Sequence, residues 1–274
     1  MAYEMDHAEA LGATLAALAP TPAPPAGKRY SPSTNWPPLL ALGLSALAVA
    51  SLFALQTALL FGSAAWGYVR LDTKILEHLA EWNYSATILI GALLGQAVAT
   101  LIVIWAARRQ TGMLVPALSL HSPFGGLKDY LWAVPCFVVF GALIGVLAQW
   151  LDPQAGRADI LPALAMARSP AWWMMGLVAI VGAPISEELI FRGFLFSAIA
   201  KSRAGILGAA LITSPLWAVI HYYSIFGSLT ILALGLALSG ILWRTGSTRV
   251  TMACHAAYNS MAFLGALLTP PGSM

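Results

Sequence analysis

From residue 38 onward the sequence is a succession of apolar runs, each near the roughly 20 residues that an α-helix needs to cross the hydrocarbon core of a bilayer. The runs fall at about 38–62, 85–107, 130–151, 171–199, 206–223, 226–243 and 250–268. In lipid every backbone N–H and C=O must be satisfied within the protein, so runs of this length have to be helices. Composition points the same way. Apolar residues make up 59% of the 274, and Asp, Glu, Lys and Arg together only 9%, against roughly 25% charged in a soluble domain. The expected fold class is all-α, a multi-pass transmembrane helix bundle of about seven spans, or eight if a re-entrant segment is present. The bilayer is its first expected partner.

Residues 1–37 form an Ala/Pro-rich leader in which TPAPPAG at 21–27 reads as flexible. It is expected to be disordered and cytoplasmic, and it lacks the apolar core that a secretory signal carries at its start. The remaining divisions are N-terminal transmembrane spans over 38–169, a catalytic transmembrane core over 170–268 and a tail at 269–274. The net charge of +3 comes without a Lys/Arg-rich stretch or a recognition motif, so no nucleic-acid partner is expected. The basic residues instead mark alternate loops. Lys28 and Arg29 precede the first span; Arg108, Arg109 and Lys128 separate the second from the third. Lys201 and Arg203 follow the fourth, and Arg244 and Arg249 follow the sixth. By the positive-inside rule this places the N-terminus in the cytoplasm, with the plasma (inner) membrane as the expected location. Cys136 and Cys254 both fall inside apolar runs and read as packing residues rather than a disulfide.

Ionisable residues within the spans are few and confined to the C-terminal half: Glu187, Glu188 and Arg192 in the fourth, His221 at the end of the fifth, His255 in the seventh, with Asn259 a turn later. A charge at membrane depth costs several kcal/mol, so such groups face the bundle interior or a cavity. Glu188 and Arg192 are four apart and can pair on one helix face. Glu187, rotated by about 100° from Glu188, is then free to face a cavity. His255 and Asn259 are again four apart. Pro184 and Pro215 lie just before the acidic pair and His221 and can loosen those helices. Any one of these residues alone could be structural glue between helices, but two acids, two histidines and an Asn in one half argue for a shared site. His7, His78 and His121 lie outside the spans and are given no role.

Three motifs carry a family resemblance. Residues 187–192 read EELIFR (EExxxR), 217–221 read WAVIH (close to FxxxH), and 255–259 read HAAYN (HxxxN). In this order, inside apolar helices, they resemble the CPBP family of CAAX proteases and bacteriocin-processing enzymes, also called the ABI family. The resemblance covers about residues 170–268, including the RGF that follows the acids. The departure is Trp217 where the family usually has Phe. The resemblance implies an intramembrane endopeptidase with a buried site open towards the cytoplasm. Glu187, His221, His255 and Asn259 would form the catalytic set, with Glu188 and Arg192 supporting it or also essential to catalysis.

The mechanism expected from that set is attack by water, with Glu187 and His221 as general base and His255 and Asn259 as donors to the oxyanion. No cofactor is assigned. Zn or another divalent metal held by Glu187, His221 and His255 is one version, and a metal-free glutamate mechanism is the other. HExxH and GxSxG signatures are absent. The expected partner is a membrane-associated peptide or protein substrate: a prenylated protein, a peptide precursor or another anchored chain. A non-catalytic adaptor or immunity protein on the same scaffold is the alternative. A proton-coupled transporter fits less well, since it distributes polar groups along a pathway through both halves.

Overall fold

The computed structural model describes residues 30–32 and 34–269. The Pro-rich stretch at 21–27, His7, Lys28, Arg29 and the tail beyond Thr269 lie outside the described residues. All regular structure within them is helical. The long helices are α1 (Pro38–Ala65), α3 (Trp82–Thr111), α5 (Leu127–Leu151), α7 (Trp172–Ala200), α8 (Gly205–Val219), α9 (Ile225–Thr245) and α10 (Thr248–Leu268). They coincide with the seven apolar runs. Five of them (α1, α3, α5, α7 and α9) are long and apolar enough to cross a membrane, while α8 is apolar but short. The chain is an integral membrane protein built as a multi-pass helical bundle.

Three further helices were not anticipated: α2 (Ile75–His78), α4 (Leu114–Ala117) and α6 (Pro153–Arg168). The last starts where Asp152 accepts a hydrogen bond from the Ala155 N–H at 3.0 Å and Pro153 supplies a preset first-turn φ. Its mixture of charged and apolar residues is too polar to register as a span and too short to cross one.

The helices pack where small residues permit. Gly91 and Gly95, four apart on α3, meet the backbone of Gln56 and Leu52 on α1; a Cβ at Gly91 would lie 2.6 Å from Gln56 Cα. Close approach through a small-xxx-small face is how helices associate in lipid, where no hydrophobic drive holds them together. The end of the leader departs from the disorder expected for it. Tyr30 and Thr34 are buried, the Tyr30 hydroxyl meets Ser197 Oγ at 2.6 Å, and Trp36 lies edge-on to Phe194. The hydrogen bond of Tyr30 and the ring contact of Trp36 outweigh the local tendency of a Pro-rich segment to stay extended and free.

Two faces result. One gathers residues 30–38, 107–128, 197–205 and 243–250, tied by Tyr30 N–H to Trp243 C=O at 3.2 Å, Phe124 N–H to Thr245 C=O at 3.0 Å and Ser247 Oγ to His121 C=O at 2.7 Å. The other gathers 66–81, 151–171, 220–225 and 268–269. There Asp159 accepts from the Ser224 N–H at 2.8 Å and hydroxyl at 2.7 Å, and Arg168 donates to Thr269 C=O at 3.3 Å. The first face and its flanking turns carry Arg108, Arg109, Lys128, Lys201, Arg203, Arg244 and Arg249 against the single acid Asp129. The second carries Arg70, Lys74, Arg157 and Arg168 against five acids. Its rim also holds exposed aromatics such as Trp66, Trp150 and Tyr222, the residues that favour the membrane–water boundary.

Candidate active site

α7 is not a uniform helix. Two π-helical turns, Leu177–Gly182 and Leu189–Leu195, bracket the short α-helical stretch Ala183–Glu188 that carries both acids. A π turn widens the helix and leaves carbonyls poorly satisfied, and such turns are frequent at functional sites. Here side-chain amides from other helices take up the freed groups. Asn259 Nδ2 donates to Ala179 C=O at 2.8 Å, and Gln96 Nε2 donates to Val178 C=O at 3.3 Å. Gly182 is what lets Gln96 in, because a Cβ there would collide with Gln96 Oε1.

The two acids point apart. Glu188 is fully buried and accepts at Oε1 from Arg192 Nη1 at 2.9 Å and from His255 Nδ1 at 3.1 Å. Arg192, also fully buried, lies with its guanidinium carbon 4.3 Å from the Trp217 ring centroid and donates to Gly235 C=O at 3.4 Å. Glu187 instead lines a cavity of about 620 Å³, together with His221, His255, Asn259 and Tyr258. Trp217 Nε1–H donates to Glu187 Oε2 at 2.6 Å. His221 Nε2 stands 3.9 Å from the same oxygen, too far for a direct hydrogen bond.

Carbonyl and carboxylate acceptors settle the imidazole tautomers. His221 Nδ1–H donates to Trp217 C=O at 2.7 Å, and His255 Nδ1–H donates to the Glu188 carboxylate. In each neutral ring the proton therefore sits on Nδ1, and Nε2 keeps its lone pair. The three candidate metal ligands do not converge. No group of three or more His, Cys, Asp or Glu among the described residues is placed to hold a metal.

All six sequence-derived residues therefore meet around one point, but in two layers. Glu187, His221 and Asn259 line the cavity with His255, while Glu188 and Arg192 lie behind them. The Asn259 carboxamide has one N–H already committed to Ala179, which leaves one for a ligand. Sequence reasoning missed Gln96, since only ionisable residues were sought in the early spans, and it missed the part played by Trp217. The indole N–H of Trp217, its ring face, its carbonyl and its edges contact Glu187, Arg192, His221 and His255. A Phe at this position would offer no donor to Glu187, so the departure in the second motif was itself the signal.

Residues 169–261 match the family model described as type II CAAX prenyl endopeptidase Rce1-like. This region is similar to that family. The match spans the whole of α7 through most of α10 and contains all six site residues, consistent with a CPBP-family intramembrane peptidase. At the level of family it supports a membrane protease. Neither a curated protein nor a solved structure matches the chain.

The cavity opens away from the basic face. It descends past Ala148, Gln149, Gly156, Asp159 and Thr269, of which Gln149 is exposed, and no lining residue comes from segments 107–128, 197–205 or 243–250. Below Glu187 the way to the basic face is filled by Arg192, Phe194, Phe196, Leu238 and Leu242, all at most 1% exposed.

Proposed function

We propose that this protein is an intramembrane endopeptidase in which Glu187 and His221 together activate a water molecule. The observation that carries the reading is their juxtaposition. A carboxylate oxygen and an imidazole lone pair lie 3.9 Å apart on a cavity wall, with the imidazole held in the base-competent tautomer by Trp217 C=O. A water bridging the two would lose its proton to Glu187 as its oxygen bonds to the scissile carbonyl carbon, and His221 would polarise its other O–H. The free N–H of Asn259 would donate to the oxyanion. Collapse of the tetrahedral intermediate breaks the C–N bond, and the proton on Glu187 passes to the leaving nitrogen. Glu188 and Arg192 contribute by holding His255 and the Trp217 ring.

The donor set does not suit a three-ligand metal site, so the metal-free version is preferred. The substrate is a membrane-associated peptide chain, of which a prenylated tail, a peptide precursor and another anchored protein are the three classes in view. The enzyme would reside in the plasma membrane with a cytoplasmic N-terminus, on the distribution of its basic residues. The test is cleavage of a peptide library by detergent-purified protein, with and without a strong chelator. Cleavage by the wild type, indifference to the chelator and loss in both Glu187→Ala and His221→Ala are expected. Unchanged cleavage in the two variants would refute the site, and restoration of chelator-lost activity by Zn²⁺ would refute the metal-free version.

A further inference from the structure

We infer that the Tyr258 hydroxyl is a substrate-binding donor, which holds the main chain of a bound peptide against the α5 wall of the cavity while Glu187 and His221 act on it. The inference rests on the proteolytic reading for the word substrate; the placement of Tyr258 does not depend on it.

Tyr258 belongs to α10, between His255 and Asn259, and lines the cavity with both. Its ring lies on α5. A Cβ at Gly141 would stand 2.4 Å from Tyr258 Cε2, and one at Gly145 would stand 3.9 Å from the hydroxyl oxygen. Phe137, one turn before Gly141, meets the ring edge-on with centroids 6.1 Å apart. Residues 137, 141 and 145 are four apart and form one strip of α5. The two glycines leave a groove in that strip, and the ring is seated in it. The hydroxyl makes no hydrogen bond among the described residues and is not sealed in, so it is open to the cavity that the residue lines.

A peptide brought into a mostly apolar cavity carries N–H and C=O groups that cost free energy unless they are paired. Most donors on the walls are already engaged. The Trp217 indole N–H is held by Glu187, the Thr230 hydroxyl by Phe226 C=O at 2.9 Å and the Ser224 hydroxyl by Asp159. The Gln96 and Asn259 amides both turn to one π turn of α7, at Val178 and Ala179, and each keeps one N–H on that side. Tyr223 is 40% exposed, so water serves it. Tyr258 is the free donor on the α5 wall. A peptide carbonyl could accept from it while the scissile carbonyl faces Glu187. Because the ring is seated before a peptide arrives, little side-chain freedom is lost in using the donor.

The experiment measures peptide affinity in detergent-purified full-length Glu187→Gln protein, with and without Tyr258→Phe. The probe is a fluorescent octapeptide selected from a random library by retention on the Glu187→Gln protein, together with analogues in which an ester replaces one peptide bond at a time. Tyr258→Phe is expected to weaken binding about 3- to 10-fold, the worth of one hydrogen bond. The melting temperature should stay within about 1 °C, because no hydrogen bond within the protein is lost. At one ester position the loss of affinity is expected to shrink at least about threefold in the Tyr258→Phe protein, the coupling that marks a direct contact. With Glu187 in place, Tyr258→Phe should raise KM for a cleaved peptide by the same factor. Equal affinity with and without the hydroxyl, or weaker binding with a lower melting temperature and no coupled position, overturns the inference. Retention of no peptide overturns it together with the proteolytic reading. Coupled binding without cleavage by the wild type counts against the proteolytic reading alone, and cleavage with KM unmoved by Tyr258→Phe counts against the inference alone.

Discussion

Trp217 is the residue through which the site hangs together. Its indole N–H to the Glu187 carboxylate is a charge-assisted bond, of a kind worth roughly 1.5–3 kcal/mol. Trp217→Phe keeps the ring under Arg192 and the carbonyl that holds His221 but deletes that donor. It is expected to lower kcat by about 10- to 100-fold with KM little changed, read from steady-state cleavage. A fall in thermal stability with unchanged kcat would mean that the indole only packs. Glu188 behaves differently because it is fully buried between two cationic or proton-donating partners. Removing one member of a buried ion pair typically costs about 3–5 kcal/mol, so Glu188→Ala should show a large loss of thermal stability in detergent, and Arg192→Ala a similar one. The pairing of Glu188 with Arg192 was legible from the i, i+4 spacing alone. The attachment of His255 to Glu188 was not, because spacing within α10 says nothing about which side chain of α7 faces it.

At the scale of elements, the seven long helices could be read from the chain because lipid leaves an apolar run of that length one choice. The π turns could not, since they arise from packing of α7 against α3 and α10 and leave no local pattern. Gln96 and Gly182 offer a test of that packing. Gly182→Ala should displace Gln96 and cost about 1 kcal/mol through the lost hydrogen bond to Val178 C=O. Gln96→Ala removes the obstacle, so the double variant should be less destabilised than the sum of the singles, as measured by thermal unfolding. Simple additivity would show that the two residues do not meet. α6 escaped notice because its charges interrupt any apolar run, although Asp152 followed by Pro153 is an N-terminal signature.

The 66–81 connection is a further element with its own signal. His78 Nδ1 faces Glu81 at 2.9 Å and Nε2 faces Asp72 at 3.0 Å. These two carboxylates, Glu81 first, raise the His78 pKa above its ordinary 6.5. The Lys74 N–H, then His78, lowers that of Asp72 below 3.8. The His78 contribution is complete below pH 6.5 and is lost as pH rises through its raised value. The Asp72 contribution is complete above pH 3.8 and is lost as pH falls through its lowered value. Amide exchange in this connection should therefore be slowest between those limits. His78→Ala should remove the loss of protection on the alkaline side, and a loss that persists in the variant would assign it elsewhere.

Taken whole, the molecule is asymmetric in two ways at once. Basic residues collect on one face, and the only described cavity of the site opens on the other, with Glu187 and His221 on its wall. The C-terminal half builds the well, while α1 and α3 brace α7 from behind through Gly91, Gly95 and Gln96. The gathering of basic residues in alternate loops was legible in the sequence; the side of the bundle toward which the cavity extends was not, because it depends on which side of Glu187 the side chains of α7, α8 and α9 close. The measurement that bears most directly on the central claim is the single-turnover cleavage rate of wild type and Glu187→Gln on one identified peptide, with both proteins shown to melt at the same temperature. Glu187→Gln keeps size and can still accept from Trp217, but it cannot take a proton from water. A rate lower by about 10²–10⁴-fold is predicted for loss of a general base, and a rate within threefold of wild type would contradict the account.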